Sequence, residues 1–241
     1  MFDSVKIKNK KNCKIIAHRG LSGIERENTC PAFLLAGSKS YFGIETDVHV
    51  TKDGKFIICH DDNVFRVTGH DLVIEESNLH DLTKLSVFDS DEQTKRSDLF
   101  LPLPSDYINI CKKYSKISVF ELKNLMPKNK IKEICGQIID MQMFDNTIFI
   151  SFCKENLLVI KDSYPNAKIQ YLTGDATMET LDFIKQNGFG LDIYYVALTK
   201  EYVDLVHSLG LEVNCWTCDN LADAERLIEM GVDYITTNIL E

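Results

Sequence analysis

Long apolar runs, an excess of positive charge and a second cysteine pair at metal-binding spacing are all missing from this 241-residue sequence. No run reaches 18 apolar residues, so no segment reads as a membrane-spanning helix. The opening residues, MFDSVKIKNKKNCKIIAHRG, lack the longer apolar stretch and small-residue cleavage site of a secretory leader, which makes a cytoplasmic location the expectation. Lysine and arginine number 27 against 36 aspartates and glutamates, a net charge of -9. Nucleic acid is therefore disfavoured as a partner, because it is held by lysine and arginine against phosphate. Any bound phosphate must meet a local cluster of cations or a metal ion. Cys215 and Cys218 form a C-W-T-C, but no thioredoxin-like context surrounds it. The eight scattered cysteines read instead as buried free thiols of a reducing compartment.

What is present is the composition of a globular protein, 44% hydrophobic and 26% charged. Linkers and low-complexity segments are absent, so residues 1–241 are expected to form one domain. Short runs rich in Ile, Val, Phe and Tyr alternate with segments of helical period, the pattern of a parallel sheet covered by helices. Strands are expected at 13–18, 44–50, 56–60, 117–122, 147–152, 168–172, 191–196, 211–216 and 233–236. Helices are expected near 31–40, 105–114, 129–143, 155–162, 178–186, 201–208 and 221–229. Thr29 stands where an N-cap belongs, with Pro31 in the first turn. The turn Lys52-Asp53-Gly54-Lys55 is too short for a crossover, so the strand after it should return antiparallel, with His60 opposite Glu45. Setting that strand aside leaves eight, which predicts a TIM-type (β/α)8 barrel with a β-hairpin in place of one crossover helix. The polar, irregular residues 61–101 read as a small lid inserted over the strand ends.

In such a barrel the active site lies at the carboxyl ends of the strands. His18, Arg19, Glu45, Asp47, Glu121, Lys123, Ser151 and Trp216 all fall there. Glu45 and Asp47 are two apart and share one face of a strand. Carboxylates converging with Glu121 would repel one another without a cation, which suggests an all-oxygen site for magnesium or calcium. As a triplet alone they read equally well as an ion-pair network with lysine and arginine. Arg19 offers a planar fork suited to phosphate oxygens, and Lys123 a point charge.

The motifs HRG at His18, ENT at Glu27, ETDVHVTKDG from Glu45, HD at His60, ELK at Glu121, SF at Ser151 and WT at Trp216 resemble, in order, the pattern of the glycerophosphodiester phosphodiesterase family. The resemblance spans nearly the whole chain. It implies metal-dependent hydrolysis of small glycerophosphodiesters to sn-glycerol 3-phosphate and an alcohol, with His18 and His60 as the acid–base pair. It further implies that Asn28 lies near metal and phosphate, that Glu27 orients neighbours, and that Trp216 lines the glycerol pocket. Two departures stand out. Leu103-Pro104-Ser105-Asp106 replaces a motif carrying a glutamate near the site, and Thr237-Asn238-Ile239 replaces threonine-aspartate-arginine-proline, which leaves substrate selection and closure of the last strand open. The rival activities are a head-group phosphodiesterase for lysophospholipids or sphingolipids, which residues 61–101 look too polar to serve, and a non-catalytic barrel that holds a phosphate ester. A barrel isomerase of sugar phosphates would have no need of HRG and HD together.

Overall fold

Strands covered on both faces must be apolar on both, and the short Ile/Val/Phe runs supply such strands. In the computed structural model, which describes residues 3–241, the chain begins with β1 (Lys14–Ala17), α1 (Cys30–Gly37) and β2 (Gly43–Val50). The return strand β3 (Phe56–Ile58) leads into the insertion, with one-turn helices α2 (Phe65–Thr68) and α3 (Leu79–Leu82) and a hairpin of β4 (Ser86–Phe88) and β5 (Lys95–Phe100). Regular alternation follows with α4 (Pro104–Lys113), β6 (Ile117–Leu122), α5 (Lys128–Asp140), β7 (Thr147–Ser151), α6 (Lys154–Ser163) and β8 (Lys168–Thr173). The chain continues through α7 (Met178–Asn187), β9 (Gly190–Tyr194), α8 (Lys200–Ser208), β10 (Val213–Trp216), α9 (Leu221–Met230) and β11 (Tyr234–Thr237).

Eight parallel strands, β1, β2 and β6 to β11, close into a barrel because β1 pairs with both β11 and β2. Thr237 pairs with Ala17 in the last ladder, so the Thr237-Asn238-Ile239 departure does not disturb closure. The hairpin does not displace a helix: β3, the insertion and α4 all lie in the connection from β2 to β6. Outward residues such as Ile44, Val48, Phe120 and Phe149 pack beneath the helices. Ile16, Val119, Ile148, Ile150 and Leu172 fill the barrel itself, and Val64, Val67, Ile74, Leu82 and Leu99 give the insertion its own small core.

The observed hairpin pairs, Val48 with Ile58 and Val50 with Phe56, shift the expected register by one residue. The cause is a five-residue loop closed by Thr51 N–H on the Lys55 carbonyl (2.8 Å). The ladder ends at Ile58, so His60 is not paired with Glu45 and reaches the site by the turn beyond the strand. β4 and β5 escape sequence reading because β5, KRSDLF, buries little beyond Leu99 and shows no apolar alternation. The Thr29 cap forms as expected, its hydroxyl accepting from Ala32 N–H. All eight cysteines are free, and Cys215 and Cys218 are buried rather than poised for redox or metal chemistry.

The glycine of HRG has a steric cause. Gly20 has a φ of 81°, and a Cβ there would stand 2.7 Å from the Ala32 carbonyl carbon in α1. Gly20→Ala must push the His18 loop off α1, so a loss of about 2–3 kcal/mol is expected, a fall in Tm of roughly 5–10 °C. Thermal denaturation checks this, and a Tm within about a degree of the parent would refute it.

Candidate active site

The inner face of β2 carries Glu45 and Asp47, and the β2–β6 register places Asp47 beside Glu121. One carboxylate oxygen from each of the three lies within 4.8 Å of the others, and all three residues are buried. Lys123 Nζ stands 2.9 Å from Glu121 and 3.4 Å from Asp47, and Arg19 Nε 3.4 Å from Asp47. Asn28 Nδ2 donates to Asp47 Oδ2 at 2.8 Å. Arg19 N–H donates to Glu45 Oε2 at 2.8 Å. Arg19 and Asn28 both hold a φ of 54°, a left-handed backbone that side chains other than glycine seldom adopt. The two residues are tied by Asn28 N–H on the Arg19 carbonyl (2.9 Å), and the turn aims the Arg19 amide at Glu45.

Burial, reinforced by neighbouring carboxylates, pushes the Glu45 and Glu121 carboxyls above their ordinary range. Burial acts on Asp47 in the same sense, but Arg19 and Lys123 outweigh it and hold that carboxyl low. Two cations leave three buried carboxylates incompletely neutralised. An all-oxygen donor set with residual negative charge fits a hard divalent cation such as magnesium or calcium.

His18 follows β1, with Nδ1 2.8 Å from Asn238 Oδ1. The amide is oriented by Asn238 Nδ2, which donates to Asp219 Oδ2 at 2.6 Å. An amide oxygen only accepts, so His18 Nδ1 carries the proton and Nε2 keeps a free lone pair. That Nε2 lies 3.9 Å from Glu45 Oε2. Burial and the Arg19 charge push His18 down to about 4. His60 is anchored in the same way, Nδ1 standing 2.7 Å from Asp61 Oδ1. Arg66 on α2 grips both Asp61 (2.6 Å) and Glu27 (2.8 Å), and Glu27 in turn accepts from Arg19 Nη1 (2.9 Å). Although burial opposes it, the Arg66 and Arg19 interactions hold Glu27 down to about 2.

Both histidines open on a cavity of about 80 Å³ whose other walls are Arg19, Glu45, Glu121 and the apolar side chains Ile150, Leu172 and Trp216. The Trp216 ring meets Phe152 edge-on at 5.7 Å. A wider cavity of about 430 Å³, bordered by His18, Arg19, Glu27 and Asp219, lies outside it. A third, of about 460 Å³, lies at the amino-terminal end of the barrel between Lys14, Gln170 and Tyr234, and none of the candidate residues borders it.

Residues 18–241 match the profile of the Glycerophosphoryl diester phosphodiesterase family. The chain belongs to that family. It is 29% identical over 231 residues to the glycerophosphodiester phosphodiesterase of Caldanaerobacter subterraneus subsp. tengcongensis, 93% of each chain being covered. A solved glycerophosphodiester phosphodiesterase from Parabacteroides distasonis is similar with a TM-score of 0.81 at 27% identity, over 95% of this chain and 94% of that one. An Oleispira antarctica phosphodiesterase, solved in complex with the product sn-glycerol-3-phosphate, shares the fold with a TM-score of 0.84 at 24% identity, over 93% and 92%.

In this family member His18, Arg19, Glu45, His60, Glu121 and Trp216 line one cavity, and Asn28, Asp47 and Lys123 bind its edge. Ser151 is not with them: its buried hydroxyl donates to the Leu122 carbonyl at 2.6 Å and braces the strand ends. Asp106, in the segment that departs from the family motif, accepts from Leu103 N–H at 3.0 Å and starts α4. Sequence reading did not assign Asp61, Arg66, Asp192, Asp219 or Asn238. Asp61 adjoins His60 in the HD motif and Asn238 marks a departure from the family pattern, and these were the signals available.

Proposed function

We propose that this chain hydrolyses glycerophosphodiesters to sn-glycerol 3-phosphate and an alcohol. The observation that carries this reading is two histidines, each anchored through Nδ1, opening on one cavity with Arg19 and two of the three clustered carboxylates. Family membership and the names of the relatives support it. Glu45, Asp47 and Glu121 would hold a magnesium or calcium ion. When bound, such an ion supplies charge neutralisation to the phosphoryl oxygens as they become more negative. Arg19 adds a guanidinium directed at the same place. His18, held neutral with Nε2 free, takes the proton of the attacking hydroxyl, whether of water or of the glycerol 2-position. His60 returns a proton to the leaving alkoxide, with its ring fixed by Asp61.

A second reading is favoured by one feature. Leu125, Phe152, Met178, Tyr194 and Val196 are exposed at or just beyond the carboxyl ends of the barrel strands, an apolar rim that residues 61–101 alone did not suggest. Such a rim suits the acyl chain of a lysophospholipid. Both readings are tested by following product release from glycerophosphocholine, glycerophosphoethanolamine and lysophosphatidylcholine, with magnesium, with calcium and with chelator. Metal-dependent release of glycerol 3-phosphate from the first two is the expected result. Release from the lysolipid alone would replace the first reading with the second, and no release from any would remove both. Among the described residues no helix is long and apolar enough to cross a membrane.

A further inference from the structure

Beneath Trp216 and Glu121 the inner cavity ends on Asp192 and Thr236. Asp192 is only 2% exposed, yet its Oδ1 has no hydrogen-bond partner among the described residues. Asn214, its register partner on β10, is fully buried, and its amide meets the Asp192 carboxyl without closing a hydrogen bond on Oδ1. The Asn214 amide is turned that way because its oxygen accepts from Thr236 Oγ1 at 3.2 Å. Trp216 Nε1, in the wall above, also donates to nothing among the described residues. Buried polar atoms are nearly always paired in folded proteins. An unpartnered acceptor at the end of a cavity is what the O–H of a hydroxyl group would satisfy.

The two cavities at the barrel mouth are both bordered by His18 and Arg19, so a phosphodiester held there puts one ester half into each. The inner one, about 80 Å³ against about 430 Å³, takes the half whose apolar and polar groups match its walls. Its sides, Ile150, Leu172 and Trp216, cover carbon, and its end is polar. A three-carbon polyol esterified at one end has that same distribution. Resting on the glycerophosphodiester reading, we propose that Asp192, with Asn214 beside it, binds the free terminal hydroxyl of the glycerol half and so selects substrates that keep it. The outer cavity leaves the alcohol half loosely specified. Neither residue belongs to the motifs that carry the family resemblance.

The test compares kcat/KM for glycerophosphocholine with that for its propane-1,2-diol analogue, which keeps the hydroxyl next to the ester and lacks the terminal one. Wild-type protein is expected to prefer glycerophosphocholine by about 100-fold, since a site built around a hydroxyl leaves its own groups unpaired when the hydroxyl is missing. Asp192→Leu should cut that preference at least tenfold, mainly by slowing the glycerol substrate, with Asp192→Asn in between. The leucine variant should be no less heat-stable, because it removes an unpartnered buried carboxyl; if it fails to fold, the asparagine variant carries the comparison. An unchanged preference in the folded variants, or no preference in the wild type, would overturn the proposal. Failure of the wild type to turn over either compound would instead remove the hydrolase reading on which the proposal rests.

Discussion

His18→Ala protein should turn over glycerophosphocholine about a thousandfold more slowly than its parent while unfolding at the same temperature. The catalytic loss follows from geometry. Asn238 and Asp219 commit the Nδ1 proton, so Nε2 is the one atom of that ring able to accept a proton in the cavity. Stability should be largely spared because Asn238 Oδ1, on losing the ring, keeps the Ser22 hydroxyl as a donor at 2.7 Å. His60→Ala should lose a similar factor, its anchor on Asp61 being left with Arg66 as partner. Steady-state kinetics with circular dichroism on the same samples decides the matter. If either folded variant kept more than about a tenth of parental activity, the acid–base pair would be wrong.

Metal removal should have the second largest effect. Chelation is expected to lower turnover by at least about 100-fold, reversed by returning magnesium or calcium, because the carboxylate cluster would otherwise confront a phosphodiester with like charge. The same cluster makes a pH-dependent stability prediction. Glu45 and Glu121 have carboxyls raised by burial and by the Asp47 charge between them, so their favourable contribution to the metal-free fold is present below their unfolded pKa and is lost as pH rises through the raised values. A bound cation restores what is lost. Saturating metal should therefore raise Tm by about 5–10 °C at pH 8, and by distinctly less at pH 5.5 where binding must first expel protons. His18 acts in the opposite sense, destabilising the fold as pH falls from 6.5 towards about 4, but it does so with and without metal and largely cancels from the difference. Scanning calorimetry at the two pH values checks this. An equal metal shift at both would mean that Glu45 and Glu121 are not the ligands.

The motif residues were legible because each couples a local cause to its position. Glu45 and Asp47 share a strand face by period, Thr29 and Pro31 mark where α1 begins, and the Asp53-Gly54 turn returns the chain so that His60 comes back towards β2. The register of that turn was misjudged by one residue, since a five-residue loop and a two-residue loop leave the same apolar alternation on either side. The β4–β5 hairpin was missed for a related reason: its strands pack on a small core of the insertion through one face only, and polar residues fill the rest.

Local pattern in the chain was enough to predict a β/α alternation closing to eight strands and the strand ends where the carboxylates gather, while the histidine pair came from the family resemblance. Tertiary structure alone decided how those side chains are held. Asn238 lies 220 residues from His18 and meets it only because β11 closes the barrel against β1. Arg66 reaches Glu27 across 39 residues of chain through the insertion. Asp192, at the cavity end, gains Asn214 as a neighbour only through the β9–β10 register. Such partners leave no periodic trace, because a hydrogen bond between distant strands constrains two positions that the sequence does not relate.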